Sequence, residues 1–104
     1  MSVTGTWNVV TDTPIGKQTT LVELSETGDG LRGVARDQWH ADPLELREVR
    51  LDGDRLRWAM TMTKPLRLEL TFDVAVEGDR LSGRAKAGRL LSSKVTGHKV
   101  APEA

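Results

Sequence analysis

The sequence predicts an all-β protein, an eight-stranded antiparallel up-and-down barrel, on three observations. The first is Gly53-Asp54-Arg55-Leu56-Arg57-Trp58, which recurs in altered form as Gly28-Asp29-Gly30-Leu31-Arg32-Gly33 and Gly78-Asp79-Arg80-Leu81-Ser82-Gly83. The copies lie about 25 residues apart, an internal repeat with room for two strands per period. Each is a glycine turn, then a leucine, then an alternating segment, as the second strand of a hairpin begins. The second observation is alternation, cleanest where Leu66, Leu68, Leu70, Phe72, Val74 and Val76 interleave with Arg67, Glu69, Thr71, Asp73 and Ala75. The third is the lack of any connection long enough for a Greek-key crossover. Sequential hairpins then favour a closed barrel over a two-sheet sandwich, and closure removes exposed strand edges.

The elements follow in order. The first strand runs from Val3 to Thr11, with Gly5, Trp7 and Val9 on one face, and Thr13-Pro14-Ile15-Gly16 turns the chain. The second, Lys17 to about Glu26, puts Thr20, Val22 and Leu24 inward. The third carries Leu31, Gly33, Ala35 and Asp37 on one face and Arg32, Val34 and Arg36 on the other. Gln38-Trp39-His40-Ala41-Asp42-Pro43 breaks the alternation and is read as a loop, since proline does not fit a central strand. The fourth strand, Leu44 to Leu51, changes parity once, which predicts a bulge near Arg47-Glu48. The fifth carries Leu56, Trp58, Met60 and Met62 inward and Arg57, Ala59, Thr61 and Thr63 outward; Lys64-Pro65 leads into the sixth. The seventh places Leu81, Gly83, Ala85 and Ala87 inward, and the eighth spans roughly Leu90 to Val100. A helix over Ala85 to Lys94 is the rival reading, because Ala, Lys, Arg and Leu are good helix formers. Residues 1–100 form one domain, and 101–104 are expected to be a loose tail.

Composition narrows function by exclusion. The chain has 104 residues, room for one core. Lys+Arg and Asp+Glu number 15 each, so no net field draws nucleic acid or an anionic membrane. With no cysteine there is no disulfide framework, thiol nucleophile or thiolate zinc site. The opening Met-Ser-Val-Thr-Gly-Thr-Trp lacks the pattern of a signal peptide, and no apolar run nears the roughly 20 residues of a membrane span. A cytoplasmic location is expected.

Gly5-Thr6-Trp7 at the head of the first strand resembles the Gly-x-Trp start of the lipocalin and calycin superfamily. The repeated turns with Leu-x-Gly, and Val-Thr-Gly-His-Lys near the close, are similar to small bacterial lipocalin-like domains. The resemblance implies a tryptophan closing one barrel end and ligand access at the other.

Topology alone gives the same polarity. The three Gly-Asp turns and Trp7 share one end; Thr13 to Gly16, Gln38 to Pro43, Lys64-Pro65 and Ala87 to Arg89 share the other, where function is expected. An eight-stranded barrel is just wide enough to be filled by side chains or to hold one small ligand. Gly33, Ala35, Gly83 and Ala85 either make room for Trp58 and Phe72 or leave a narrow apolar pocket. The pocket reading assigns ligand binding to Trp39, Trp58, Met60, Met62, Leu68, Leu70 and Phe72, adaptable through methionine. It also expects Gly83→Leu to block uptake at little cost in stability.

Asp37, predicted to face inward below the loop, and His40 are the candidate catalytic pair. A carboxylate in an apolar mouth beside an imidazole could move a proton or orient a polar ligand group. The alternative is a solvated loop under a tryptophan lid. His40 and His98 fall near opposite ends, so no metal site is expected, and no cofactor. Gly83 to Arg89 lacks the Gly-Lys-Ser/Thr ending of a phosphate loop, and Ser92-Ser93-Lys94 reads as strand surface. Exposed aromatics for base stacking are too few for nucleic-acid binding.

Three functions therefore stand. The first is binding of a small apolar or amphipathic molecule in the open end. The second is a small-barrel enzyme (cyclase, isomerase or hydrolase) using Asp37 and His40, which convergence of Thr11, Gln18, Asp37 and Ser93 inside the mouth would favour. The third is a filled-core interaction or assembly module, homodimeric through a patch that includes Ile15 and Trp39.

Overall fold

The computed structural model describes residues 3–13, 16–38, 40–63, 67–88 and 91–101, all of them strand, turn or connection. The strands are β1 (Gly5–Thr13), β2 (Gly16–Thr27), β3 (Gly30–Arg36), β4 (Leu44–Glu45), β5 (Arg47–Asp52), β6 (Arg55–Met62), β7 (Leu68–Glu77), β8 (Arg80–Ala87) and β9 (Leu91–Ala101). Their order in one sheet is β4-β3-β2-β1-β9-β8-β7-β6-β5, antiparallel at every pairing. This is an up-and-down, nearly closed barrel.

Among the described residues it has nine strands, where the sequence predicts eight, and the physical reason lies in the expected fourth strand. Leu44 to Leu51 has to bridge the two free edges of the sheet. Its first residues pair with β3, as Ala35↔Leu44 and Val34↔Glu45. Its last pair with β6, as Arg50↔Arg57, Leu51↔Leu56 and Asp52↔Arg55. Leu46 sits at the crossing, buried, and its N–H donates to the Gly33 carbonyl at 2.9 Å. The predicted bulge is present: the register shifts between Arg47 and Arg50, and Glu48 adopts φ 53°.

Two of the repeated turns, at Gly53 and Gly78, are two-residue hairpin connections in which glycine supplies φ of 64° and 63°. Residues 85–87 and 91–94 are strand, so the helical alternative fails there; its middle, 89 and 90, lies outside the described residues. Ala101 pairs with Thr6 as the last residue of β9, contrary to its assignment to a loose tail, while 102–104 lie outside the described residues. Among the described residues no helix is long and apolar enough to cross a membrane.

Inward residues of every long strand meet in one core, which includes Trp7, Val9, Leu24, Leu56, Trp58, Met60, Phe72, Val74, Leu81 and Val95. Trp58 and Phe72, partners across β6 and β7, stack with centroids 4.8 Å apart and planes 11° from parallel. The small residues do not leave a hollow. A Cβ on Gly33 would meet Leu24 Cδ2 at 2.7 Å and Leu46 Cδ1 at 2.8 Å. A Cβ on Gly83 would run into the backbone of Asp73 and, at 2.6 Å, Val74 Cα. The expectation that Gly83→Leu costs little stability is therefore overturned: the space at Gly83 is taken up by main chain.

At one end the segment before β1 is tied to Trp7. Its indole N–H donates to the Val3 carbonyl at 2.8 Å, holding the segment before β1 against the core. Lys99 Nζ lies 5.3 Å from the ring centroid, close enough for a cation–π contact.

Candidate functional site

The opposite end collects the ends of β1, β3, β6 and β8 and the starts of β2, β7 and β9. Alternation carries the inward faces up to this rim, where residues are half-buried instead of buried. On β6 and β7 they are Met62, Leu68 and Leu70, above Met60 and Phe72. On β1, β2 and β9 they are Thr11, Gln18, Thr20 and Ser93. Thr11 is registered with Gln18 on one side and Val95 on the other, and Ser93 with Ala85. By strand order β6 and β7 stand across the barrel from β1 and β2. The rim thus has one apolar wall and one polar wall over a filled floor.

Asp37 continues the inward series Gly33, Ala35, and the loop after it brings His40 back over it. Their side chains are 5% and 8% exposed. His40 Nδ1 lies 2.9 Å from Asp37 Oδ1, and the His40 backbone N–H donates to the same oxygen at 3.0 Å. The Thr63 backbone N–H donates to His40 Nε2 at 3.2 Å, and Thr63 Oγ1 lies 3.1 Å from that nitrogen. An N–H donor at Nε2 selects the tautomer whose proton is on Nδ1, donated to Asp37. Asp37, His40 and Thr63 thus form a clasp joining the end of β3 to the end of β6, the two strands flanking the seam. The nitrogen that would face a substrate in a proton-transfer pair is occupied by main chain.

The expected site residues are therefore distributed over two depths. Asp37 and His40 are in contact. Met62, Leu68 and Leu70 reach the rim, whereas Trp58, Met60 and Phe72 are buried in the core. Trp39 lies outside the described residues. The Trp58 indole N–H is buried with no acceptor among the described residues. Thr63, read from sequence as an outward strand residue, is the member of the clasp that was missed; alternation along one strand carries no signal for a contact with a distant loop. Among the described residues no group of three or more His, Asp or Glu could hold a metal ion. The chain matches no protein-family model, no curated protein and no solved structure.

Proposed function

We propose that this chain binds a small amphipathic molecule, without covalent chemistry, across the rim at the irregular end of the barrel. The observation that carries this reading is the division of the rim into Met62, Leu68 and Leu70 on one side and Thr11, Gln18 and Ser93 on the other. Ligand sites are mostly apolar with a few placed polar groups, and this rim supplies side chains of both kinds. Because the floor is packed, the ligand lies across the mouth instead of entering the barrel. Within this reading Asp37 and His40 hold the rim in shape, and the barrel is lipocalin-like, supported by Gly5-Thr6-Trp7 and the tied end around Trp7.

The test is an amide-resolved NMR titration with octanol, a neutral amphiphile. Shifts should concentrate at Thr11, Gln18, Met62 and Leu70. Leu70→Gln should weaken binding about tenfold, the loss of one partly buried side chain. Absence of shifts at these four positions at saturating octanol would remove the proposal.

A further inference from the structure

The end tied around Trp7 also carries a cleft, of about 330 Å³, lined by Val3, Glu26, Gly30, Leu31, Val49 and Leu51. Its position follows from the way the seam closes. β3 pairs with β4 at Val34 and Ala35, and Leu46 adds one bond to Gly33. Among the described residues no backbone hydrogen bond joins Gly30–Arg32 to β5. The two edges part toward the Gly-Asp turns, and the cleft opens where they part, beside the Val3 segment that Trp7 holds.

Four of its lining residues are hydrocarbon, Gly30 adds no side chain, and Glu26 is the one charged group. Glu26 extends the inward series Val22, Leu24 on β2, and it has no ion-pair partner among the described residues. The nearby turns add Asp29, Asp52 and Asp54. Of the nearby arginines, Arg55 is bound to Asp73. Arg32 and Arg50 alternate with the lining residues, which sets them on the outward face. The charge that faces the apolar bed is therefore the Glu26 carboxylate, while Lys99 at the same end is held over the Trp7 ring.

We propose that this cleft is a binding site for a small primary alkylammonium, with its hydrocarbon on Leu31, Val49 and Leu51 and its ammonium at the Glu26 carboxylate. A carboxylate head would meet like charge, and an alcohol would leave the glutamate uncompensated. The volume is at the low end for ligand sites, which sets a short chain, about four to six carbons.

The experiment is an amide-resolved NMR titration of the full chain with hexylammonium, hexanol and hexanoate. Shifts should centre on Glu26, Leu31, Val49 and Leu51, with affinity falling from amine to alcohol to carboxylate. Glu26→Gln, an exposed change that leaves the core intact, should weaken the amine about three- to fivefold and leave hexanol unchanged. Glu26→Lys should reverse the order in favour of hexanoate. Equal affinity for the three probes overturns the proposal, as does an order unaffected by either Glu26 variant. Shifts of the same residues with rising protein concentration and no probe would assign the cleft to a second copy of the chain and overturn it too. Octanol binding at the opposite rim reports on other residues, so either site can fail alone.

Discussion

Gly33 and Gly83 occupy the same place in two copies of one repeat, two residues after its leucine, and nothing in the sequence separates them. Their surroundings do. A methyl at Gly33 meets the ends of Leu24 and Leu46, which can rotate away, with the Glu23 carbonyl at 3.2 Å. A methyl at Gly83 meets the main chain of β7 at Asp73 and Val74, which moves only if the β7–β8 ladder opens. Gly33→Ala should therefore cost about 1 to 2 kcal/mol and Gly83→Ala more than about 3. Urea midpoints at unchanged m-value measure both; equal losses would mean that β7 does not approach Gly83 as described. The same contrast marks what is legible at this scale. Parity along the third strand sends Asp37 inward, and the three-residue spacing allows His40 to return over it, so that pair can be read from the chain. Thr63 is 23 residues from His40 and joins it through its backbone N–H, which every residue but proline possesses.

At the scale of the element, the segment from Leu44 to Asp52 is the one whose conformation its neighbours dictate. It leaves β3, crosses at Leu46 and joins β6, and the extra residue is absorbed at Glu48 with φ 53°. Left-handed backbone costs an ordinary residue roughly 1 to 2 kcal/mol, and more for a β-branched one. Glu48 is exposed, so its side chain adds little to the balance. Glu48→Gly should be neutral or stabilising by up to about 1 kcal/mol, the relief being offset in part by glycine's freedom in the unfolded chain. Glu48→Val should lose about 1 to 2 kcal/mol. Thermal or urea unfolding of the two variants checks the sign, and identical stabilities would argue against a left-handed residue at this bulge. The parity change among Leu46, Val49 and Leu51 made the bulge legible in the sequence. The break into two strands was not, because it depends on which edges the segment must join, a property of the closed sheet and not of the segment.

For the whole molecule, the long strands are bound by full-length ladders from β3 round to β6, with one register shift between Thr6 and Trp7 where β1 meets β9, while closure rests on much less. The seam holds two registered pairs between β3 and β4, the Leu46 bond to Gly33, the buried Leu46 side chain and the Asp37–His40–Thr63 clasp. A nine-strand sheet closed this way opens locally at its join before it unfolds globally, since local stability follows backbone pairing and buried contact. Native-state hydrogen exchange measures this directly. The amides of β1, β8 and β9, paired on both sides of each strand, should exchange only through global unfolding. Seam-facing amides of Gly30–Arg32 and Glu48–Asp52 should exchange at least about a hundredfold faster, in a lower-energy opening. His40→Ala should accelerate them further, with residues 34–36 joining the same opening, because it removes the tie from β3 to β6 at the rim. β1 and β9 should still exchange only at the global limit, lower by whatever the variant loses in overall stability. Uniform protection round the barrel would mean that β3 and β5 are joined by a ladder, and the alkylammonium cleft would lose the gap on which it depends.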